Sequence, residues 1–187
     1  MVILLIFLLT SGVVRPMDAV DINIWRHPDL SGRFIISSDT TVSLPLIGII
    51  DCRGHNQAEV ESIIIGGYAK YLLDPYVDVK FLFPVRILGE VNHPGVYYLE
   101  PGQGVADLLA QCGGFNNESN GRGAQLIRDG KSRKVNLIGV LEGKDRLELQ
   151  SNDLIIVPRS FWASLQKWGI LISAATLIIT AYNAISK

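Results

Sequence analysis

The sequence predicts an α+β protein that ends in a membrane-directed segment, and three observations carry that reading. Short stretches alternate apolar and polar residues between turns rich in Gly, Pro, Asn and Asp, the pattern of half-buried strands. Two segments change to the spacing of an amphipathic helix. The chain then closes on residues 168–186, a run with no charged side chain.

The elements follow in order. Residues 21–25 (DINIW) alternate, with Ile22 and Ile24 on one face. Pro28 and the pair Ser31–Gly32 supply the reversal that follows. Residues 34–36 and 41–46 read as further short strands around a turn at Ser38–Asp39, and Pro45 suggests an edge or a bulge. Asn56 or Gln57 opens a helix in which Ala58, Ile63, Ile64, Tyr68 and Leu72 recur at helical spacing. Gly66–Gly67 inside it costs about 1 kcal/mol per glycine relative to alanine, which points to close backbone packing there. Asp74–Pro75 is expected to end this helix, and residues 76–83 alternate again as a strand.

A second unit is expected from Pro84 onward. Residues 85–91 and 96–99 form a hairpin across His93, Pro94 and Gly95, with Gly89 inside its first strand. Residues 105–111 make a short helix closed by Gly113 and Gly114. Residues 125–128 and 132–136 pair across Asp129–Gly130, a strong hairpin signal. Residues 147–149 and 154–157 are expected to be the closing strands.

Composition narrows the function. Across 187 residues, 48% are hydrophobic, 19% are charged and the formal net charge is −1. Nucleic-acid binding is not expected, because phosphate neutralisation requires clustered Lys and Arg. The apolar excess gathers at the two ends. The first stretch, residues 1–14, is too short for a membrane-spanning helix but suits the core of an export signal, with Ala19 as a cleavage position. An incorrect or truncated start is the other reading of that segment.

The second stretch is long enough to span, since ~20 residues at 1.5 Å rise cover about 30 Å. Trp162, Trp168 and Tyr182 stand near its ends, where amphipathic rings favour the headgroup level. Gln166, Gly169, Ser173, Thr176, Thr180 and Asn183 recur every three or four residues and therefore share one stripe of a helix. Three arrangements are compatible with that stripe: a ring of helices that turns it toward water, a tail anchor with small packing residues, and a helix buried in a core.

No catalytic, cofactor-binding or metal-binding constellation is expected. His27, His55 and His93 fall in turns, far apart and without ligand spacing. Cys52 and Cys112 form no C-x-x-C pair, so the readings left for them are two semi-buried side chains or one disulfide. Asp21, Asp29, Asp39, Glu90 and Glu100 read as strand-end and turn carboxylates. No nucleophile elbow, P-loop or dinucleotide fingerprint occurs.

DINIWRHPDLSGRF, the segment from Asp39 through VSLPLIG, and the helix leading to YLLDPYVDVKF together resemble the polysaccharide-export domain of outer-membrane capsule and exopolysaccharide exporters. VRILGEVNHPGVYYLEPGQGVADLLAQCGGF, closing with LQSNDLIIVP, is similar to the soluble-ligand-binding β-grasp (SLBB) domain that follows it in that family. The resemblance implies an export-signal-like segment at residues 1–17, an export domain at 18–83, a β-grasp domain at 84–159 and an amphipathic membrane helix at 160–187. The resemblance is to a short member, with one β-grasp unit expected. The sequence departs from the family where RPMDAV replaces a glycine-rich opening turn, where Thr40 replaces a glycine, and in having no lipobox cysteine.

The resemblance further implies a non-enzymatic homo-oligomeric ring in the outer membrane of a Gram-negative bacterium, with its body in the periplasm. Its partners would be the polysaccharide, outer-membrane lipid and an inner-membrane co-polymerase and tyrosine kinase. In that role the polar stripe would line a pore. The turns at Gly89, Pro94, Gly95, Gly113 and Gly114 would form backbone corners, protomer contacts or a sugar contact. A tail-anchored adaptor that binds saccharide or a partner without forming a pore is the alternative.

Overall fold

The computed structural model describes residues 12–161. The expected membrane helix, its stripe and anchors, and most of the export-signal-like segment lie outside the described residues. Among the described residues no helix is long and apolar enough to cross a membrane.

The α+β reading holds, and one long strand organises it. Strand β1 (Ala19–Ile24) and β2 (Gly32–Ile35) pair antiparallel, and β3 (Thr41–Leu44) and β4 (Gly48–Asp51) form a separate hairpin. Pro45 ends β3 and Leu46 takes φ 69°, so the proline sits in the turn rather than in an edge strand. Helix α1 (Gln57–Tyr68) starts from a capping box: Glu59 N donates to Asn56 Oδ1 at 3.0 Å, and Asn56 N donates to Glu59 Oε2 at 2.9 Å. It stops at Tyr68, short of the expected Asp74; Val60, Ile64 and Tyr68 are its buried stripe, and Leu72 packs against the same cluster from the turn that follows. The close approach expected at the glycine pair occurs at Gly67, where a Cβ would lie 3.1 Å from Ile47.

Strand β5 (Val77–Gly89) continues through Pro84, where the sequence had suggested two strands. Along one edge it pairs antiparallel with β1 as far as Leu82, then parallel with β9 (Leu154–Val157) from Arg86. Between these ladders the Pro84 carbonyl accepts from Asn152 N at 2.8 Å. A residue's N–H and C=O point the same way in a strand, so the N–H that proline lacks would face this change of partner. The other edge pairs with β6 (Gly95–Leu99). Strands β7 (Ala124–Arg128) and β8 (Lys131–Val135) extend the sheet in the order β2-β1-β5-β9-β7-β8.

Alternation along β5 places Val77, Val79 and Phe81 in one apolar cluster and Phe83, Val85 and Ile87 in a second, all on one face. Helix α1 covers the first cluster, and α2 (Val105–Gln111) covers the second. The hairpin at Asp129–Gly130 forms as expected, with φ 49° and 73°. Residues 147–149 form no strand, although Leu149 is buried. Instead an unforeseen short helix, α3 (Leu137–Leu141), starts at Asn136, whose Oδ1 accepts from Gly139 N at 3.0 Å.

Candidate functional site

The expected β-grasp turn residues meet at one end of β5. Gly89 has φ 89°, and a Cβ there would lie 2.1 Å from the Val157 carbonyl oxygen, so only glycine lets β5 and β9 run side by side. Pro94 and Gly95 carry the chain from this end into β6. Gly113 and Gly114 close α2 with φ 76° and 80°, and Gly114 N reaches back to Leu109 O at 2.7 Å. The two groups are knitted together: Asn92 N donates to Gly114 O at 3.0 Å and His93 N to Cys112 O at 3.0 Å. Tyr97 Oη donates to His93 O at 2.6 Å. Backbone demands thus account for this corner.

The chain leaves the described body at the same end. Arg159 pairs with Glu118 and lies 3.8 Å from Glu90 Oε1, and Asn120 N donates to Pro158 O at 2.8 Å. At the far end of β5, a distance of about 40 Å at ~3.3 Å per residue, Trp25 N donates to Tyr76 O at 3.0 Å. Both of those rings are exposed, and Leu73 nearby in sequence is fully so.

Midway, where one apolar cluster gives way to the other, lies a cleft of about 630 Å³. Phe83 is in its lining, between the segment around Asp18 with Gln57 on one side and the loops at Gln103 and 147–151 on the other. Asp18 is buried; its Oδ1 accepts from Ser151 Oγ at 2.7 Å and its Oδ2 from Arg15 N at 3.0 Å. Burial pushes its carboxyl above the usual range, against the opposing effects of Ser151 and Arg15. The wall at 147–151 is fixed by the fully buried Asp153, which receives Arg128 Nε and Nη2 at 2.7 Å each and Gln150 N at 2.9 Å. Lys80–Glu100 at 3.6 Å and Arg33 stacked 5.4 Å from the Tyr98 ring centre also join the two halves.

The remaining candidates stay apart. Cys52 lies in the first cluster and Cys112 in the second; both are free thiols whose pKa is raised by burial. His55 sits 3.2 Å from Glu59, His93 is bound to the end of α2, and the His27 carbonyl accepts from Ser31 Oγ in the turn after β1. The cleft was not legible in the sequence, because its residues come from five separated segments and share no motif.

Residues 10–82 match the family described as polysaccharide biosynthesis/export protein, and residues 84–136 match the SLBB domain. The two occur in that order and meet within β5. The chain belongs to the polysaccharide-export family. A relative within it, the EPS I polysaccharide export outer membrane protein EpsA of Ralstonia nicotianae, is 25% identical over 160 residues, which cover 81% of this chain and 42% of that protein. This exporter-family chain therefore spans less than half the length of the curated relative it matches.

Proposed function

We propose that this protein moves an exopolysaccharide or capsular polysaccharide across the outer membrane as a homo-oligomeric translocon, and that it is not an enzyme. The observation that carries the reading is the export match followed directly by the SLBB match along one continuous strand. Two further features support it. The body has two ends about 40 Å apart: from Arg159 the chain leads into residues 160–187, which carry Trp162, Trp168, Tyr182, the polar stripe and the uncharged run. The opposite end exposes Trp25, Leu73 and Tyr76, a surface suited to a partner. With the run in the outer membrane and the body in the periplasm, that second surface faces the inner-membrane co-polymerase and kinase. Gln166, Gly169, Ser173, Thr176, Thr180 and Asn183 then line the axis of a helix ring, where hydroxyl and amide groups hold sugar weakly enough to release it.

The test is the oligomeric mass of the detergent-extracted protein, full length and ending at Arg159. A large discrete ring whose membrane association needs residues 160–187 supports the translocon. Monomers or dimers in both forms refute self-assembly and leave a tail-anchored binding adaptor.

A further inference from the structure

The cleft between the two halves has the chemistry of a ligand site as well as its shape. Its volume lies within the range of about 300–1,000 Å³ typical of small-molecule sites. Phe83 is only partly buried there, although its neighbours along β5, Leu82 and Pro84, are buried. The side-chain amides of Gln57 and Gln150 make no hydrogen bond among the described residues. Gln103 uses only its Oε1, which accepts from Glu100 N at 2.9 Å, so its amide N–H groups are similarly unengaged. Amides offer both donors and acceptors, the combination that hydroxyl groups require. The ionic groups in the lining are of both signs, Arg15 against Asp18 and Glu148. That balance does not select a polyanion, and a lining that mixes apolar surface with amides and charged groups suits an amphipathic ring better than a lipid chain.

We infer that this cleft binds one or two pyranose units of a polysaccharide, through the amides of Gln57, Gln103 and Gln150 and the apolar ring of Phe83. The ligand class rests on the export reading above; the position of the site rests on the cleft. A pyranose ring has a hydroxyl-bearing rim and apolar C–H faces, and the cleft presents amides around an aromatic surface in the same relation. The export half supplies Gln57 and the β-grasp half supplies Gln103 and Gln150, so the site exists only because β5 holds the halves in register. Ser151, bonded to Asp18, and Arg128, bonded to Asp153, are positioning residues for the wall.

Isothermal titration of the full-length protein in detergent tests this, with short oligosaccharides from partial acid hydrolysis of the producing strain's own polymer as probe. The expected Kd is about 0.1–1 mM. In the double variant Gln57→Ala/Gln150→Ala it should weaken at least about tenfold, the loss of two hydrogen bonds of about 1 kcal/mol each. Thermal stability should be unchanged, because neither amide has an internal partner. Phe83→Leu should also weaken binding. No binding by the wild type overturns the site, and so does equal binding by the double variant. Complementation of a deletion strain by the wild-type gene separates the two ideas: restored surface polymer without cleft binding leaves the export reading standing, whereas loss of both removes it.

Discussion

Replacing Thr40 by glycine should stabilise this protein, although it removes a side chain and adds freedom to the unfolded chain. Thr40 has φ 63°, in the left-handed region that β-branched residues avoid. Its backbone cannot relax out of it, because Thr40 N donates to Ser37 O at 2.9 Å and Thr40 O accepts from Cys52 N at 2.9 Å. The conformation costs a non-glycine residue about 1–2 kcal/mol, and glycine recovers this. Glycine also loses more conformational entropy on folding, by roughly 0.5–1 kcal/mol. The Thr40 hydroxyl has no hydrogen-bond partner among the described residues, so no polar contact is lost. The net gain is about 0.5–1 kcal/mol, a rise in Tm of about 1–4 °C for a chain of this size. Scanning calorimetry of wild type, Thr40→Gly and Thr40→Ala reads it. Alanine keeps the Cβ and the strain, so its Tm should stay near wild type. Equal stabilisation by both variants, or destabilisation by glycine, would refute backbone strain as the cause.

The opposite change at Gly89 should be severe. Gly89→Ala places a Cβ against the Val157 carbonyl at φ 89° and should cost about 3 kcal/mol or more in urea unfolding; a loss under about 1 kcal/mol would mean that β5 and β9 are not so close. Asp18 predicts a pH effect. Its folded pKa is raised above 3.8 by burial, so the folded state binds the proton more tightly than the unfolded state. Its contribution is therefore greatest below the unfolded value and declines as pH rises through the folded one. Arg15 on its own segment and Glu148 across the cleft are the charged groups facing it. Between about pH 4 and pH 7 the wild type should lose stability relative to Asp18→Asn, and parallel urea-midpoint profiles would contradict this. Asp51 runs the other way: bonding to Arg53 lowers it to about 2, so its contribution is present above 3.8 and lost as pH falls toward 2.

Local punctuation was legible in the sequence, and long-range partnership was not. Gly104 and the Gly113–Gly114 pair bracket a seven-residue helix that the structure reproduces to the residue, because a glycine at each end leaves the backbone no better place to begin or stop. Asp129–Gly130 fixed a hairpin for the same reason. Pro84 misled, since a proline inside a strand is tolerated only where no partner awaits its missing N–H, and that depends on where β1 ends and β9 begins. Strand β4 was missed because Leu46, Ile47, Ile49 and Ile50 form an apolar run without clear alternation. Two of the departures from the family pattern were visible as residues, but their meaning was not. Met17 and Thr40 both turn out to have positive φ, 73° and 63°, where a glycine would carry no strain.

The continuity of β5 also bears on how the two halves can move. A hinge needs residues whose dihedral angles change without loss of packing, and linkers between units usually provide them. Here the link is a strand. Val85 and Ile87 are fully buried on one side of Pro84 and Phe81 and Leu82 nearly so on the other, and the ladders to β1, β6 and β9 occupy both edges around it. Rotation at Pro84 would break the Asp18–Ser151 hydrogen bond, the Lys80–Glu100 pair and the Arg33–Tyr98 stack together. The halves therefore behave as one rigid lever. Force applied at the Trp25–Tyr76 end would be transmitted along the strand to the Arg159 anchor, with no flexible joint between them to absorb it.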